Sequence, residues 1–316
     1  MSTEKRNENF MLKQSRYSKG KKNVKQYSKN NASKKSGSGK NSYNAYYKKN
    51  DDGFQPKSNG KSNYGKKKYP SKSKGYPKKN AQKPSIKIAF LGGLNEIGKN
   101  ITLVECENDI IIIDCGMAFP DGDMLGVDLV IPDFTYIEQN ADRVKGIILT
   151  HGHEDHIGGL PFLLSKVNVP IYGTPLTLGL VGNKLKEHSL YNQSQLNVIN
   201  AGQSIKLGCM KIDFIHVNHS IPDAVAFAIH TPGGTIVHTG DFKIDCTPIT
   251  GDMIALSSFA RVGDEGVLAL LSESTNAERP GYTPTERTVS DSLDNLFKSA
   301  ENYRIIIATF ASNVNR

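Results

Sequence analysis

His151-Gly152-His153-Glu154-Asp155-His156-Ile157-Gly158-Gly159 is the stretch from which the rest of the chain is read. It follows an apolar run, Gly146-Ile147-Ile148-Leu149-Thr150, that reads as a short buried strand ending in a sharp loop. Imidazoles and carboxylates crowded this closely cannot all be core residues, because such side chains are rarely buried unless paired or bound to a metal. The alternation His151-x-His153 puts two side chains on one side of an extended backbone. Asp155 and His156 then sit where the chain turns into Ile157 to Leu164, which looks like the start of a helix. Such a loop can serve two adjacent metals, one held by His151 and His153, the other by Asp155 and His156. Nitrogen and oxygen donors without a thiolate suit zinc, and an incomplete protein shell leaves room for water. The bland alternative is a solvated histidine-rich loop.

Upstream, Ile86 to Leu91 reads as a strand closed by Gly92-Gly93, and Asn100–Glu105 and Asp109–Asp114 read as a hairpin. Asp114 ends an isoleucine run, an odd place for a carboxylate; it either orients a metal ligand by a hydrogen bond or caps the strand end. Glycines and prolines make 116–133 a loop, and Phe134 to Asn140 a short helix. Downstream come a helix at 160–167, a strand at 169–173 and a helix at 175–187 with leucines at helical spacing. A second β region follows, with strands at 196–199, 204–207, 210–217, 224–230 and 235–238. Two sheets flanked by helices, with polar residues gathered at strand ends, predict an αββα sandwich. Its edges offer two more ligands: His219 could complete the His151/His153 set, and Asp241 has two oxygens with which to bridge two metals. His216 would point to the opposite face from His219. His188, His230 and His238 have no cluster around them and read as paired or surface histidines.

Charge divides the chain at about Pro84. Residues 1–84 hold 24 Lys+Arg against 4 Asp+Glu, whereas the remainder holds 16 against 27. The overall net charge of +9 therefore averages a basic tail with an acidic body. The tail has almost no Leu, Ile or Val to offset chain entropy, which predicts disorder. Its eight tyrosines (Tyr17, Tyr27, Tyr43, Tyr46, Tyr47, Tyr64, Tyr69, Tyr76) lie among lysines. Lysines attract phosphates and aromatic rings stack on unpaired bases, so the tail reads as a diffuse nucleic-acid-binding arm; a solubilising tail or a loose protein-interaction arm is the alternative. No apolar run approaches the roughly 18–20 residues of a membrane span, and the first thirty residues lack a signal-peptide core. Cys106, Cys115, Cys209 and Cys246 show no CxxC spacing and lie in or beside apolar runs, which fits reduced thiols in a cytoplasmic protein.

HGHEDHIGG (151–159), with Asp114 before it and His219 and Asp241 after it, resembles the metallo-β-lactamase superfamily. GGLNEIGKN (92–100), DCGMAFPDGDMLGVDLVIPDF (114–134), VNHSIPDA (217–224), HTGDFKID (238–245) and SESTNAERPGYTPTER (272–287) resemble its β-CASP branch, the ribonuclease J family. The resemblance runs from about Ile86 to the end. It implies a metallo-β-lactamase domain over 85–284, a β-CASP domain beginning over 285–316, and a tail over 1–84 that matches no family element. It implies two zinc ions held at His151, His153, Asp155, His156, His219 and Asp241, with catalysis at Asp155, His156 and Asp241. Asp114 matches the superfamily's first motif aspartate. Glu273 matches the first β-CASP motif, where many relatives have Asp, and Asn95 stands where the family commonly has Gly.

The implied activity is zinc-dependent hydrolysis of RNA phosphodiesters, both internally and from the 5′ end, in RNA decay and processing, including rRNA processing. Metal binding lowers the pKa of water to about 7, and paired metals stabilise the charge growing on the phosphoryl oxygens. The implied partner is RNA; the resemblance leaves room for a homo-oligomer and for RNA-decay partners such as a helicase, with no membrane. A small-molecule metallohydrolase of the same superfamily would share the zinc loop but lack residues 272–287 and the tail. A binding protein with a degenerate site would not keep the ligand set intact. The end of the chain carries one more expectation. Thr285 to Ala300 reads as a helix capped by Thr285 or Thr283, and Tyr303 to Phe310 as a buried strand of a new α/β unit. One strand and one helix cannot bury such a unit, and the second zinc is one imidazole short. The chain is therefore expected to be an incomplete enzyme whose missing ligand and general acid lie beyond residue 316.

Overall fold

A computed structural model describes residues 83–310. The readings of the tail, its tyrosines included, fall almost wholly outside the described residues. Two sheets form the centre. The first has the order β1 (Ile86–Gly92), β2 (Ile101–Cys106), β3 (Asp109–Ile113), β4 (Val144–Ile148), β5 (Ile171–Gly173) and β6 (Leu196–Val198). β1, β2 and β3 are antiparallel, and β3 through β6 are parallel. The second sheet holds β7 (Ser204–Leu207), β8 (Met210–His216), β9 (Val225–Thr231), β10 (Gly234–His238) and β11 (Ala269–Leu271), with order β11-β10-β9-β8-β7. All its pairs are antiparallel except β10 with β11.

The run Asp109–Ile113 shows why the layers stack. Alternate side chains of a strand face opposite ways, so Ile110 and Ile112 pack with the helix side while Ile111 and Ile113 pack with the second sheet. Each of these four is at most 1% exposed, and full burial of such a side chain contributes about 1.5–3 kcal/mol. The hairpin turn forms at Glu107-Asn108, with Glu107 at φ 54°. Helices α1 (Thr135–Gln139), α2 (Glu154–Ile157), α3 (Leu160–Leu164) and α4 (Pro175–Glu187) lie among the elements before β6. Ile137, Leu160, Leu163, Leu178, Val181 and Leu185 cover the outer face of the first sheet. α5 (Leu256–Glu265) covers the second through Val262, beside Ile215, Ala226, Ala228 and Val237. α6 (Glu286–Ser299) is capped by Thr285, whose hydroxyl accepts from Arg287 N. The architecture is the expected αββα sandwich. Among the described residues no helix is long and apolar enough to cross a membrane.

Two expectations need correction. The strand at Leu196 does not open the second sheet but pairs parallel to β5 in the first; strand patterning carries no information about which neighbour a strand will find. Residues 246–271, which carry no clear periodicity, hold both α5 and β11. Tyr303 to Phe310 is not a buried strand: Ile306 is 86% and Ile307 68% exposed. A strand's hydrogen bonds come from its neighbours, and no described strand pairs with this segment.

Candidate metal centre

The histidine loop leaves the carboxyl end of β4, where parallel strands commonly present functional loops. Leu149 N still bonds to Tyr172 O, so the strand direction holds up to Thr150. His153 is extended (φ −74°, ψ 152°) and acts as the N-cap residue of α2. Asp155 and His156 thus sit in a helical turn that begins earlier than the sequence suggested. Two further loops close on it: His219 arrives just after β8 and Asp241 just after β10. Gly240 makes that last approach at φ 57°, where an added Cβ would lie 3.0 Å from Thr150 Cβ and Val225 O. Gly116 is still tighter, since an added Cβ would sit 1.6 Å from Asp155 O.

The donor atoms converge. His153 Nδ1 lies 3.0 Å from His151 Nε2 and 3.3 Å from His219 Nε2. His156 Nε2 lies 3.5 Å from Asp155 Oδ2 and 3.6 Å from Asp241 Oδ2, and Asp241 Oδ2 is 3.7 Å from His219 Nε2. His151, His153 and His219 form one group whose donor atoms all lie within 4.8 Å of one another; His151, His156 and Asp241 form another. Asp241 therefore reaches toward both sets. His216 is elsewhere, its Nε2 3.0 Å from Asp252 O. His230 pairs with Asp213 at 3.0 Å, and His188 packs against the Phe162 ring.

Asp114 lies behind the donors. Its carboxylate accepts from Thr150 N (2.8 Å) and Thr150 Oγ1 (2.7 Å), and pairs with His156 Nδ1 (2.8 Å). It is 1% exposed and sits at φ 60°, a left-handed conformation costing roughly 1–2 kcal/mol for an ordinary residue and less for Asp. Thr150 Oγ1 also stands 3.0 Å from His151 Nδ1, so one hydroxyl links the two halves of the site. Glu273 holds the Asp241 loop: its Oε1 accepts from Phe242 N (3.1 Å) and its Oε2 from Thr275 N (3.2 Å).

The electrostatics suit a cation. Burial and the neighbouring imidazoles push His151 well below the ordinary histidine range. Burial likewise takes His219 down to about 4, although Asp241 pulls the other way. Both rings are therefore neutral at pH 7, the form that ligates metal. His156 behaves oppositely. Burial works against its charge, but Asp114, Asp155 and Asp241 outweigh burial and hold it well above the usual value. Three carboxylates converging on one ring mark a place where positive charge is stabilised, and the donor set fits a divalent metal.

Sequence reading missed three contributors. Thr150 and Asn100 carry no motif that singles out their contacts, although Asn100 closes the stretch GGLNEIGKN. His238, expected to stand apart, is close enough to feel Asp114, His156 and Asp241, and its Nδ1 accepts from Gly240 N at 3.1 Å. Asn95 takes a left-handed φ of 60°, which Asn tolerates. Beside His153 and Asp155 opens a cleft of about 650 Å³ whose walls include Met117, Phe119, Leu180, Asn183 and Lys184. A second, of about 410 Å³, borders His219 and reaches Lys243 and Leu293.

An αββα sandwich carrying histidines and aspartates on converging strand-end loops is the scaffold of metal-dependent hydrolases. Residues 94–286 match the family model of the metallo-beta-lactamase superfamily, and the chain belongs to that superfamily. The family implies metal ions, and the His/Asp clusters offer them donors. Among curated proteins the chain is similar to "Ribonuclease J" of Helicobacter pylori (strain ATCC 700392 / 26695), 48% identical over 235 residues, covering 74% of this chain and 34% of that protein. It is also similar to "Ribonuclease J2" of Bacillus subtilis (strain 168), 47% identical over 239 residues, covering 76% and 42%. The chain thus spans less than half the length of these relatives. Of solved structures, a protein of unknown function from Enterococcus faecalis V583 superposes with a TM-score of 0.54 at 18% identity, covering 73% of this chain and 61% of that one. That likeness concerns the fold alone.

Proposed function

We propose that this chain carries the metal-binding half of a zinc-dependent ribonuclease that hydrolyses RNA phosphodiesters, internally and from the 5′ end, in a cytoplasmic setting. One observation carries the reading: two donor groups, one of imidazoles and one mixed with carboxylate, meet at His151 and Asp241. His151, His153 and His219 would hold one zinc, and Asp155, His156 and Asp241 the other, with Asp241 shared. RNA as substrate is supported by similarity to relatives named ribonuclease J, by the 272–287 stretch and by the basic tail. Bound zinc supplies an activated water nucleophile and stabilises charge developing on the phosphoryl oxygens.

The protein's own part is preorganisation. Asp114 and Thr150 lock the His151 and His156 rings from behind, so both present a fixed nitrogen to the site. Glu273 clamps the loop after β10 and so sets where the Asp241 carboxylate stands. The two clefts open on the donors, one beside His153 and Asp155 and the other beside His219. Domain limits at 85–284 and 285–316, a helicase partner and a homo-oligomer belong to the same reading.

The test is incubation of purified protein with 5′-monophosphorylated RNA, with and without chelator, alongside metal content. Cleavage by this chain is expected to be weak, to require metal and to leave a 5′ phosphate on the products. His153→Ala or Asp155→Ala should abolish cleavage while leaving the far-ultraviolet spectrum unchanged. Cleavage that survives chelation, or wild-type protein that binds no metal, would refute the proposal.

A further inference from the structure

Asn100 stands immediately before β2, a strand buried along its whole length, and touches both metal-facing residues of α2. Its backbone N donates to Asp155 O at 3.0 Å, and its backbone O accepts from Gly116 N at 2.9 Å. Its side-chain Nδ2 donates to the same Asp155 carbonyl at 3.1 Å and to Asp155 Oδ2 at 3.4 Å. That Nδ2 also lies 3.2 Å from His156 Nε2. The carbonyl can only accept, so it decides which end of the amide points inward. One short side chain beside a rigid strand therefore meets the main chain of Asp155, its carboxylate and the ring edge of His156.

We propose that Asn100 is a positioning residue, resting on the two-metal reading above, which holds Asp155 in ligating orientation beside His156 and so sets the affinity of their metal alone. Its hydrogen bonds run to Asp155 and Gly116, and its Nδ2 borders His156 Nε2 at 3.2 Å. The trio His151, His153 and His219 is held instead through Thr150 and through its own ring-to-ring contacts. Residue type follows from the contacts. A carboxylate at position 100 would face two oxygens of Asp155, and an alanine would leave Asp155 free to rotate. A longer amide would overrun the space between β2 and α2, where Gly116 already packs on Asp155 O.

The experiment uses the purified chain, zinc ion and a chromophoric chelator as competitor, with unfolding of the metal-free protein followed in parallel. For Asn100→Ala and Asn100→Asp, one of two zinc equivalents should weaken about 10–100-fold, the usual effect of removing a hydrogen-bond partner behind a ligand. The other equivalent should keep wild-type affinity and should be the one removed by His219→Ala. The unfolding midpoint in chelator should stay close to wild type. Wild-type affinities for both equivalents in both variants would overturn the proposal. So would equal weakening of both together with a lowered midpoint, which would make Asn100 merely structural. A wild-type chain that binds no zinc would overturn the metallohydrolase reading and this inference with it.

Discussion

Replacing Asp114 with Asn isolates one charge. Asn tolerates the left-handed φ of 60° at this position as well as Asp does, so the backbone should not move. The amide oxygen can still accept from Thr150 N, and the Thr150 hydroxyl can turn round to accept from the new N–H₂. His156 has no such freedom. Its Nδ1, 2.8 Å from the old carboxylate, now faces a donor and must become an acceptor. The ring proton then moves to Nε2, the nitrogen that faces Asp155 and Asp241. A metal has to reverse this tautomer before His156 can ligate, which should weaken that metal about 10–100-fold, or about 1.4–2.7 kcal/mol. In chelator, removal of a charge-assisted bond at this buried position should cost a further about 1.5–3 kcal/mol of stability. Metal competition and urea unfolding of Asp114→Asn against wild type measure both quantities. Wild-type metal affinity together with a stability change below about 0.5 kcal/mol would refute the account of Asp114.

Gly116→Ala should prevent the β2–α2 junction from closing, because its Cβ would sit 1.6 Å from Asp155 O; a destabilisation on the order of 4 kcal/mol or more is expected by urea unfolding. Deleting residues 1–84 should weaken RNA binding and flatten its salt dependence by about 0.7 in slope for each phosphate that the tail neutralises; identical slopes would leave the tail without an RNA role. Glu105 bonds Lys87, opposed by its own burial and supported by Arg143 and Tyr136, and is held down to about 2. Its folded pKa is depressed, so its contribution is present above the unfolded value of about 4.3 and is lost as pH falls from there through about 2. Glu105→Gln should therefore flatten the acid limb of a stability–pH profile in that window.

Local patterns in this chain were legible wherever the deciding contacts lie close in sequence. The Glu107-Asn108 hairpin, the limits of Pro175–Glu187 and the Thr285 cap all depend on residues within a few positions. α5 was not legible, since only Val262 in it is buried and serine, glycine and acidic residues blur its period. The Ile305-Ile306-Ile307 run is exposed and forms no strand among the described residues, because apolarity yields a strand only where a neighbour exists to bond it.

The sequence by itself determined that a His/Asp loop follows a buried strand, that a sandwich of two sheets surrounds it, and that a basic segment precedes an acidic body. These rest on residue type and short-range period, which the chain carries without folding. Only the tertiary structure decided that β6 joins the first sheet and that Asp241 Oδ2 stands 3.6 Å from His156 and 3.7 Å from His219. It alone put Asn100 against Asp155, across 55 residues of chain, and His238 beside the donors. Such contacts are set by strand order and loop closure across the whole body, where no local preference of the chain can specify the partner.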